Sequence, residues 1–148
     1  MDIQEASIDD LDRVLSLVSE VSTVDILPLF SEQGKKQFIE RVIPDLHTVF
    51  GGENFLAIKA VYGDQLLGFA ALRDGNYVTH LFVSKQAQGS GFGRDMLYHL
   101  LASTESKEVS LRSSINAMGF YRHNGFIVSG DEGEVNGIRF VPISLIRK

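Results

Sequence analysis

The sequence predicts one layered α/β domain over residues 1–148, with a mixed, mostly antiparallel sheet of six or seven strands and helices on both faces. Three observations lead to this fold class. Two apolar runs joined by a glycine turn begin a three-stranded meander after residue 52. A second hairpin closes the chain. Between them, a glycine-rich turn leads into a helical pattern, so a helix crosses over to a parallel strand.

Composition limits the classes of function. The chain has no cysteine, which excludes disulfides, a thiolate nucleophile and thiolate metal sites, and its His, Asp and Glu residues show no metal-ligand spacing. The formal net charge of −5 and the lack of a basic stripe argue against nucleic acid as a partner. No apolar run approaches the roughly 20 residues of a membrane helix. We therefore expect a cytoplasmic protein that binds neither nucleic acid nor membrane.

The N-terminal elements are a short strand and a helix. Ile3 to Ala6 has strand character. Ser7 followed by Asp10 is typical of a helix start, because the Ser oxygen accepts a free N–H and the acid lies in the positive first turn. Apolar residues then recur at helical spacing on one face, and they are Leu11, Val14, Leu15 and Val18.

The next segment predicts a loop and a second helix. Val24 to Phe30 is apolar and contains a proline, which favours a loop. Helical spacing resumes from Ser31 to Ile43, and we expect the helix to end or kink near Pro44, because proline lacks the N–H that the helix needs. A further helical turn carries Leu46, Val49 and Phe50.

Three strands are predicted in the middle of the chain. Phe55 to Tyr62 and Leu66 to Leu72 are apolar runs, and the Gly63 to Gln65 segment between them favours a hairpin. The polar residues 73–76 predict the next turn. Tyr77 to Val83 then forms the third strand, which leads directly into the glycine-rich segment.

The glycine-rich turn is the most informative feature of the chain. Gly89, Gly91 and Gly93 remove side chains from alternate positions, so successive backbone N–H groups can converge on one anion. The helix that follows points its partially positive end at the same place. The segment therefore predicts a phosphate site. The apolar face of the helix consists of Phe92, Met96, Leu97, Leu100 and Leu101.

The C-terminal part completes the sheet. A short strand from Glu108 to Arg112 and a short helix from Asn116 to His123 come first. Phe126 to Ser129 and Ile138 to Ile146 then form the closing hairpin around the polar turn from Asp131 to Gly137. This hairpin also offers an edge through which a homodimer could form.

The spacing of the glycines excludes two common phosphate loops. A Walker loop requires Gly-Lys-Ser or Gly-Lys-Thr, which the chain lacks, and a dinucleotide fingerprint requires G-x-G-x-x-G near the start of a βαβ unit. The pattern present is Q-x-x-G-x-G, supplied by Gln88, Gly91 and Gly93. The alternative interpretation is a turn that simply joins a strand to a helix.

Two segments resemble motifs of the GNAT superfamily of acetyl-CoA-dependent N-acetyltransferases. Leu81 to Leu97, L-F-V-S-K-Q-A-Q-G-S-G-F-G-R-D-M-L, is similar to the family's pyrophosphate-binding motif A. Ser114 to Phe126, S-I-N-A-M-G-F-Y-R-H-N-G-F, is similar to its motif B. The two motifs occur in the family's order and separation, while the N-terminal third matches only in pattern. The resemblance implies a single-domain GNAT-like fold and acetyl transfer to an amine.

The resemblance also implies how acetyl-CoA would bind. Main-chain N–H groups of the turn would hold the pyrophosphate, and Leu81, Phe82 and Val83 would pair through their main chain with the pantetheine arm. An N–H near Val83 would stabilise the oxyanion formed on attack. The turn residues concerned are Gln88, Gly89, Ser90, Gly91, Phe92, Gly93 and Arg94.

Tyr121 occupies the family's general-acid position, four residues before the Gly-Phe pair. A thiol has a pKa near ~8.5 against ~10 for tyrosine, so full proton transfer to the CoA thiolate is uphill by roughly 2 kcal/mol. We therefore expect Tyr121 to donate a hydrogen bond to the thiolate; the alternative is a packed core aromatic. Ser114 falls where many relatives carry Asn, and Asn116 could take over that polar contact with the cofactor. A helix cap is the alternative for both.

His80 is the candidate general base, because the strand before the glycine turn carries no carboxylate. Strict alternation puts His80 on one face with Val78 and Phe82, and a β-bulge would reverse that assignment. The alternative is a packed, hydrogen-bonded histidine. The predicted opposite face of the strand carries Tyr77, Thr79, Leu81 and Val83.

Three hypotheses of function follow. The first is an enzyme that acetylates a small-molecule or peptide amine by direct transfer, since no cysteine is present to carry the acyl group. The second is a CoA-binding sensor or pseudoenzyme, and the third is a nucleotide-binding regulatory domain. The acidic residues Asp131, Glu132 and Glu134 could attract a cationic acceptor, or they are simply solvated.

Overall fold

The computed structural model describes residues 2–23, 28, 31–135 and 138–147. The predicted loop over residues 24–30 lies, apart from Pro28, outside the described residues. Within the described ranges the chain forms four α-helices, in the predicted order. They are α1 (Leu11–Val21), α2 (Glu32–Gly51), α3 (Phe92–Ala102) and α4 (Met118–His123).

One sheet with the strand order β1-β2-β3-β4-β5-β8-β6 forms the centre of the fold, and β7 pairs with β8 outside this path. The eight strands of the described residues exceed the predicted six or seven, because β7 forms within the segment that the sequence predicts as a polar turn. Every pair is antiparallel except β4 with β5, which α3 connects as predicted. The strands are β1 (Asp2–Glu5), β2 (Phe55–Tyr62), β3 (Gln65–Arg73), β4 (Tyr77–Val83), β5 (Glu108–Ser113), β6 (Ile127–Val128), β7 (Gly133–Val135) and β8 (Ile138–Ile146).

The first helical segment begins after Ser7, as predicted. A short 3₁₀ turn precedes α1, and an Asp10 carboxylate oxygen accepts the Ser7 N–H at 3.0 Å. Asp10 is buried, and it also accepts hydrogen bonds from Lys59 Nζ at 2.9 Å and from Arg13 at 2.9 Å. Burial raises the pKa of Asp10, but the hydrogen bonds from Lys59, Ser7 and Arg13 outweigh it and lower that pKa overall. This cluster ties α1 to β2.

Helix α2 continues through Pro44, so of the predicted end or kink at this position the end is wrong. Proline inside a helix costs about 3 kcal/mol. The turns that follow carry Leu46 and Val49, which are buried against α1 and the sheet. Full burial of such side chains contributes roughly 1.5–3 kcal/mol each, which is enough to offset the cost of the proline.

Helices cover both faces of the sheet, as predicted, and each face has its own apolar core. The α1/α2 face contains the buried residues Val14, Leu17, Val18, Val21, Leu46, Val49, Ala57, Phe69 and Ala71. The α3/α4 face contains Ile58, Ala60, Ala70, Leu72, Val78, Met96, Leu97, Leu100, Leu101, Val109, Leu111, Tyr121, Phe126 and Ile143.

A β-bulge at Thr79 changes which face the residues of β4 occupy. Ala71 of β3 lies opposite His80, and the next β3 residue, Leu72, lies opposite Val78, so Thr79 is the extra residue. Val78 packs in the α3/α4 core, whereas His80 lies with Ala71 on the α1/α2 face. Strict alternation along β4 is therefore wrong, and the bulge considered as its alternative is present.

Candidate active site

Strands β4 and β5 separate soon after they meet, which opens a cleft in the sheet. Among the described residues they pair only at Tyr77 and Ser110. A cavity of about 950 Å³ lies in the gap beyond this pair. Its walls come from β4, the glycine turn, α3, β5 and α4, with contributions from α1, α2 and β8. Its volume lies at the upper end of the range typical of cofactor pockets.

Most of the residues predicted to form the site line this cavity. Ser90 and Phe92 do not, although both lie in the glycine turn or at its junction with α3. The predicted residues that the fold brings to the cavity wall are His80, Leu81, Phe82, Val83, Gln88, Gly89, Gly91, Gly93, Arg94, Ser114, Asn116 and Tyr121.

At one end of the cavity the glycine turn presents main-chain N–H groups. Gly89 and Gly91 have φ angles of 83° and 88°, in the left-handed region that disfavours any side chain. The first helical hydrogen bond of α3 runs from the Asp95 N–H to the Gly91 carbonyl, so the earlier N–H groups have no helical partner. The N–H groups without an acceptor in the described part of the chain are those of Gly89, Gly91, Phe92, Gly93 and Arg94.

Two N–H groups of the turn donate to carbonyl groups of the protein itself. The prediction that every N–H group from 88 to 94 faces an anion is therefore wrong at Gln88 and Ser90. The Gln88 N–H donates to the Ser84 carbonyl at 3.1 Å, and the Ser90 N–H donates to the Ala87 carbonyl at 3.4 Å. The Ser90 hydroxyl also donates to Ala87. These bonds close the tight turn that holds the remaining N–H groups together.

The edge of β4 along the cleft presents the main chain of alternate residues. The Ser84 N–H donates to the Leu67 carbonyl at 2.8 Å, on the β3 side. Because N–H groups alternate between the two edges of a strand, Phe82 also bonds towards β3, while Leu81 and Val83 direct theirs into the cleft. The main chain of Phe82 is thus unavailable to a ligand, which corrects its predicted role. Its side chain still lines the cavity.

The side chain of Gln88 contacts this same edge. Its Nε2 donates to the Val83 carbonyl at 3.0 Å, and its Oε1 accepts from Lys85 Nζ at 3.1 Å. The carbonyl of Val83 is therefore engaged from the glycine turn, and its N–H is the group left facing the cleft. The sequence pattern predicts a role for Gln88 through its main chain, whereas the structure shows a role for its side chain.

Tyr121 lies on the wall of the cavity that α4 forms. Its ring packs edge-on against Phe120 and Phe126, at centroid distances of 5.1 and 5.5 Å. The hydroxyl has no hydrogen-bond partner among the described residues, although the residue lines the cavity. Burial raises the pKa of Tyr121, which keeps the hydroxyl protonated and able to donate.

His80 lines the cavity from the α1/α2 face. Its ring contacts Phe69 at 5.8 Å, and its Nδ1 lies 2.9 Å from the Thr79 hydroxyl oxygen. That hydroxyl in turn donates to the Ala71 carbonyl at 3.4 Å, so it accepts from His80 Nδ1–H. This arrangement favours the tautomer with an unprotonated Nε2. Burial lowers the pKa of His80 to about 4, so the ring is neutral at neutral pH.

Ser114 and Asn116 lie at the end of β5, where a 3₁₀ turn leads into α4. Both line the cavity, and Ser114 precedes the first residue of the turn. Its side chain makes no capping hydrogen bond there, so its hydroxyl is not committed to a helix cap. The buried Ser113 hydroxyl donates to the Ser114 carbonyl at 2.7 Å, which fixes the main chain at this point.

Sequence reasoning missed the residues that line the other end of the cavity. Phe38 and Arg41 come from α2, Arg112 from β5, and Arg139 and Phe140 from β8. The Arg112 guanidinium lies over the Phe140 ring at 4.3 Å. Arg139 pairs with Glu132, one of the acidic residues predicted to attract a cation. These residues belong to segments far apart in the chain, and no local pattern connects them.

The part of the chain that the structure describes lacks two further features. No group of three His, Cys, Asp or Glu is arranged to hold a metal ion in that part of the chain. None of its helices combines the length and apolar character that crossing a membrane requires.

Known structures share this fold. A GCN5-related N-acetyltransferase from Rhodopseudomonas palustris matches with a TM-score of 0.83 at 16% identity, covering 98% of this chain and 94% of that one. The PaiA N-acetyltransferase from Thermoplasma acidophilum, in complex with coenzyme A, matches with a TM-score of 0.78 at 18% identity, covering 98% of both chains. The aminoglycoside 6'-N-acetyltransferase from Enterococcus faecium matches with a TM-score of 0.72 at 13% identity, covering 99% and 97%.

The sequence comparisons differ in what they find. No curated protein sequence matches the chain. The family model described as an acetyltransferase (GNAT) domain matches residues 26–147. That match spans most of the chain and includes the glycine turn, the cleft strands and α4. The chain therefore belongs to the GNAT acetyltransferase family.

Proposed function

We propose that this chain is an N-acetyltransferase that moves an acetyl group from acetyl-CoA to a primary amine by direct transfer in a ternary complex. The observation that carries the proposal is the group of N–H groups at the start of α3 that find no acceptor in the described part of the chain, beside the edge of β4 that pairs with β5 there only at Tyr77. Family membership and the coenzyme A in the PaiA structure support the choice of ligand. Residues 1–148 act as one catalytic domain.

Acetyl-CoA supplies the acetyl thioester, and the residues of the cleft fit its parts. The N–H groups from Gly89 to Arg94, without that of Ser90, bind the pyrophosphate at the positive end of α3. Leu81 bonds the pantetheine arm through its cleft-facing main chain, and the Val83 N–H is left for the thioester end. Ser114 and Asn116 provide polar contacts on the opposite wall.

The transfer forms a carbon–nitrogen bond and breaks the carbon–sulfur bond of the thioester. The Val83 N–H stabilises the negative charge that develops on the carbonyl oxygen. The Tyr121 hydroxyl donates a hydrogen bond to the departing sulfur. Its raised pKa makes complete proton transfer to the thiolate still less favourable than the ordinary values of tyrosine and thiol suggest. Solvent therefore supplies the thiol proton.

His80 Nε2 accepts the proton that the amine loses. A pKa of about 4 makes His80 a weak base, far below the ~10.4 of a lysine-type ammonium. It therefore does not ionise the free ammonium group, so the amine reacts in its neutral form after releasing one proton to solvent. The nitrogen becomes much more acidic as its bond to the carbonyl carbon forms, and the neutral ring accepts the proton at that stage.

The second candidate function is a CoA-binding sensor without transferase activity. The low pKa of His80 and the lack of Asp or Glu among the described cavity residues favour this alternative. It shares the CoA site with the enzyme but needs neither a base nor an acceptor.

Thermal unfolding with acetyl-CoA, combined with an assay of free CoA thiol, tests the proposal. A ligand at 100 times its Kd stabilises the native state by about 2.7 kcal/mol, which raises Tm by roughly 5–10 °C for a domain of this size. We expect this shift, together with thiol release when an amine acceptor is added. A shift without thiol release across a broad amine panel would identify the sensor, and no shift at millimolar acetyl-CoA would overturn both functions.

A further inference from the structure

The cavity opens towards both faces of the sheet, and the residues on the α1/α2 face form its second end. Leu111 packs in the α3/α4 core, so its neighbour Arg112 lies on the α1/α2 face. Phe140 is on that face as well, because its ring lies against the Arg112 guanidinium. His80 also lies on this face, because its ring contacts Phe69 of the α1/α2 core. The proposed base and Arg112 thus lie on the same face of the cleft.

The permanently charged side chains on the described cavity wall are all positive. In a chain with 19 Asp and Glu residues, none lines the described cavity, whereas four arginines do. Arg94 lies at the end of the cavity formed by the glycine turn, in the first turn of α3. Arg139 is neutralised by Glu132. Arg41 lies one turn before Asp45, which attracts it electrostatically although the two side chains are not within ion-pair distance. Arg112 has no acidic partner within ion-pair distance in the described part of the chain.

We propose that the acceptor amine carries a carboxylate and that Arg112 binds this carboxylate, with Arg41 adding to the positive potential. This inference rests on the proposed function and specifies its substrate class, which is an amino acid or another amine bearing a carboxylate. A polycationic amine meets the Arg112 guanidinium and finds no carboxylate on the described wall. The acidic residues Asp131, Glu132 and Glu134 do not alter this, because none of them lines the cavity and Glu132 is paired with Arg139.

The contact with Phe140 prepares Arg112 for this role. A guanidinium stacked on an aromatic ring keeps its N–H edge free, and that edge matches the two oxygens of a carboxylate. Holding the side chain in place also reduces the conformational entropy lost on binding. Such charge-assisted pairs typically distinguish a charged ligand from its neutral analogue by about 10- to 100-fold.

Binding of reaction products to the CoA-saturated protein tests the inference without requiring turnover. The probes are N-acetyl-L-phenylalanine and its primary amide, which differ only in the carboxylate. We expect the carboxylate to bind at least 10-fold more tightly than the amide in calorimetric titrations, with a preference that weakens as salt increases. Equal binding, tighter binding of the amide, or no binding of the carboxylate at 10 mM would each overturn the inference.

Variants separate the role of Arg112 from a general effect of charge. Arg112→Gln is expected to abolish the preference for the carboxylate, and Arg112→Lys to restore part of it, since lysine keeps the charge but lacks the planar fork. Arg122→Gln, an exposed arginine on α4 outside the cavity lining, is the matched control and should leave the preference intact. Loss of preference in the control alone would contradict the assignment.

Turnover distinguishes failure of this inference from failure of the proposed function. In matched pairs such as phenylalanine and phenethylamine, we expect kcat/KM to favour the carboxylate member at least 10-fold, with Arg112→Gln raising KM more than it lowers kcat. Faster turnover of phenethylamine or spermidine would overturn the inference while supporting the transferase. Acetyl-CoA binding without turnover of any amine would overturn the transferase, and the product titrations would still decide the carboxylate site.

Discussion

The two ends of the cleft are built from different parts of the polypeptide. The end where we propose that the pyrophosphate binds, called the phosphate end below, consists of main-chain N–H groups within one short segment, from Gly89 to Arg94. The end where we propose that the amine binds, called the acceptor end, consists of side chains from α2, β4, β5 and β8, including His80 and Arg112. The first end depends on backbone conformation and tolerates changes of most side chains. The second depends on side-chain identity, so acceptor preference can change without altering the binding of acetyl-CoA.

Substitution of Tyr121 by phenylalanine is expected to have the largest effect on the rate of acetyl transfer and little effect on the structure of either end of the cleft. Removing a donor aimed at developing charge typically costs about 100- to 1000-fold in kcat. The ring stays packed between Phe120 and Phe126, and the hydroxyl has no partner to lose, so stability and acetyl-CoA affinity should stay the same. Steady-state kinetics of thiol release and the acetyl-CoA thermal shift measure the two quantities.

A matched control is Tyr98→Phe, which removes the hydroxyl of an exposed tyrosine on α3. If Tyr121→Phe lowered kcat no more than this control does, Tyr121 would be a packing residue only.

The acceptor end should respond to pH through His80. Its pKa is about 4 in the folded protein and near ~6.5 when unfolded, so the unfolded state binds the proton first as the pH falls. This contribution to stability is complete above pH ~6.5 and is lost progressively down to about pH 4, by roughly 3 kcal/mol. Urea unfolding at several pH values should show a shallower loss over this window for His80→Gln than for the wild type.

His99→Gln is the control for this experiment, because His99 is exposed on α3 and lies outside the cavity lining. Parallel pH profiles for the wild type and His80→Gln would show that His80 is not buried as described.

The smallest effects are expected from two glycine substitutions at the phosphate end. Gly91→Ala introduces a Cβ at a φ of 88°, which costs roughly 1–2 kcal/mol in that region. Gly93 has an ordinary helical φ, and its added Cβ would lie 3.5 Å from Phe120 and Val83, both on the cavity wall. We expect about 10-fold weaker acetyl-CoA binding for each, with a lower Tm for Gly91→Ala and a higher one for Gly93→Ala.

Gly119→Ala is the control for both, since a Cβ on this α4 residue meets nothing within 4 Å. Unchanged acetyl-CoA affinity in Gly91→Ala would contradict the assignment of the turn as the phosphate site.

Local patterns predicted most of the elements and the glycine turn before α3, because the information lies within single segments. Around Gly91, the apolar run, the three glycines and the amphipathic helix follow one another directly in the chain. The two apolar runs and the glycine turn of the β2–β3 hairpin are likewise adjacent. Three features escaped prediction for physical reasons. Burial of Leu46 and Val49 carries α2 past Pro44. The internal bonds of Gln88 and Ser90 depend on the exact closure of the turn, and the contact of Arg112 with Phe140 joins two different strands.

The extra residue at Thr79 changes which face of the sheet each part of β4 occupies. An odd–even count that starts from His80 assigns the β4 residues before Thr79 to the wrong face, whereas it is correct for the residues after His80. Deleting Thr79 itself would leave Val78 and His80 as neighbours on opposite faces, as their pairing with Leu72 and Ala71 already requires. Deleting any other residue of β4 would move part of the strand to the opposite face, and such deletions should be tolerated far less well than any one substitution in the strand.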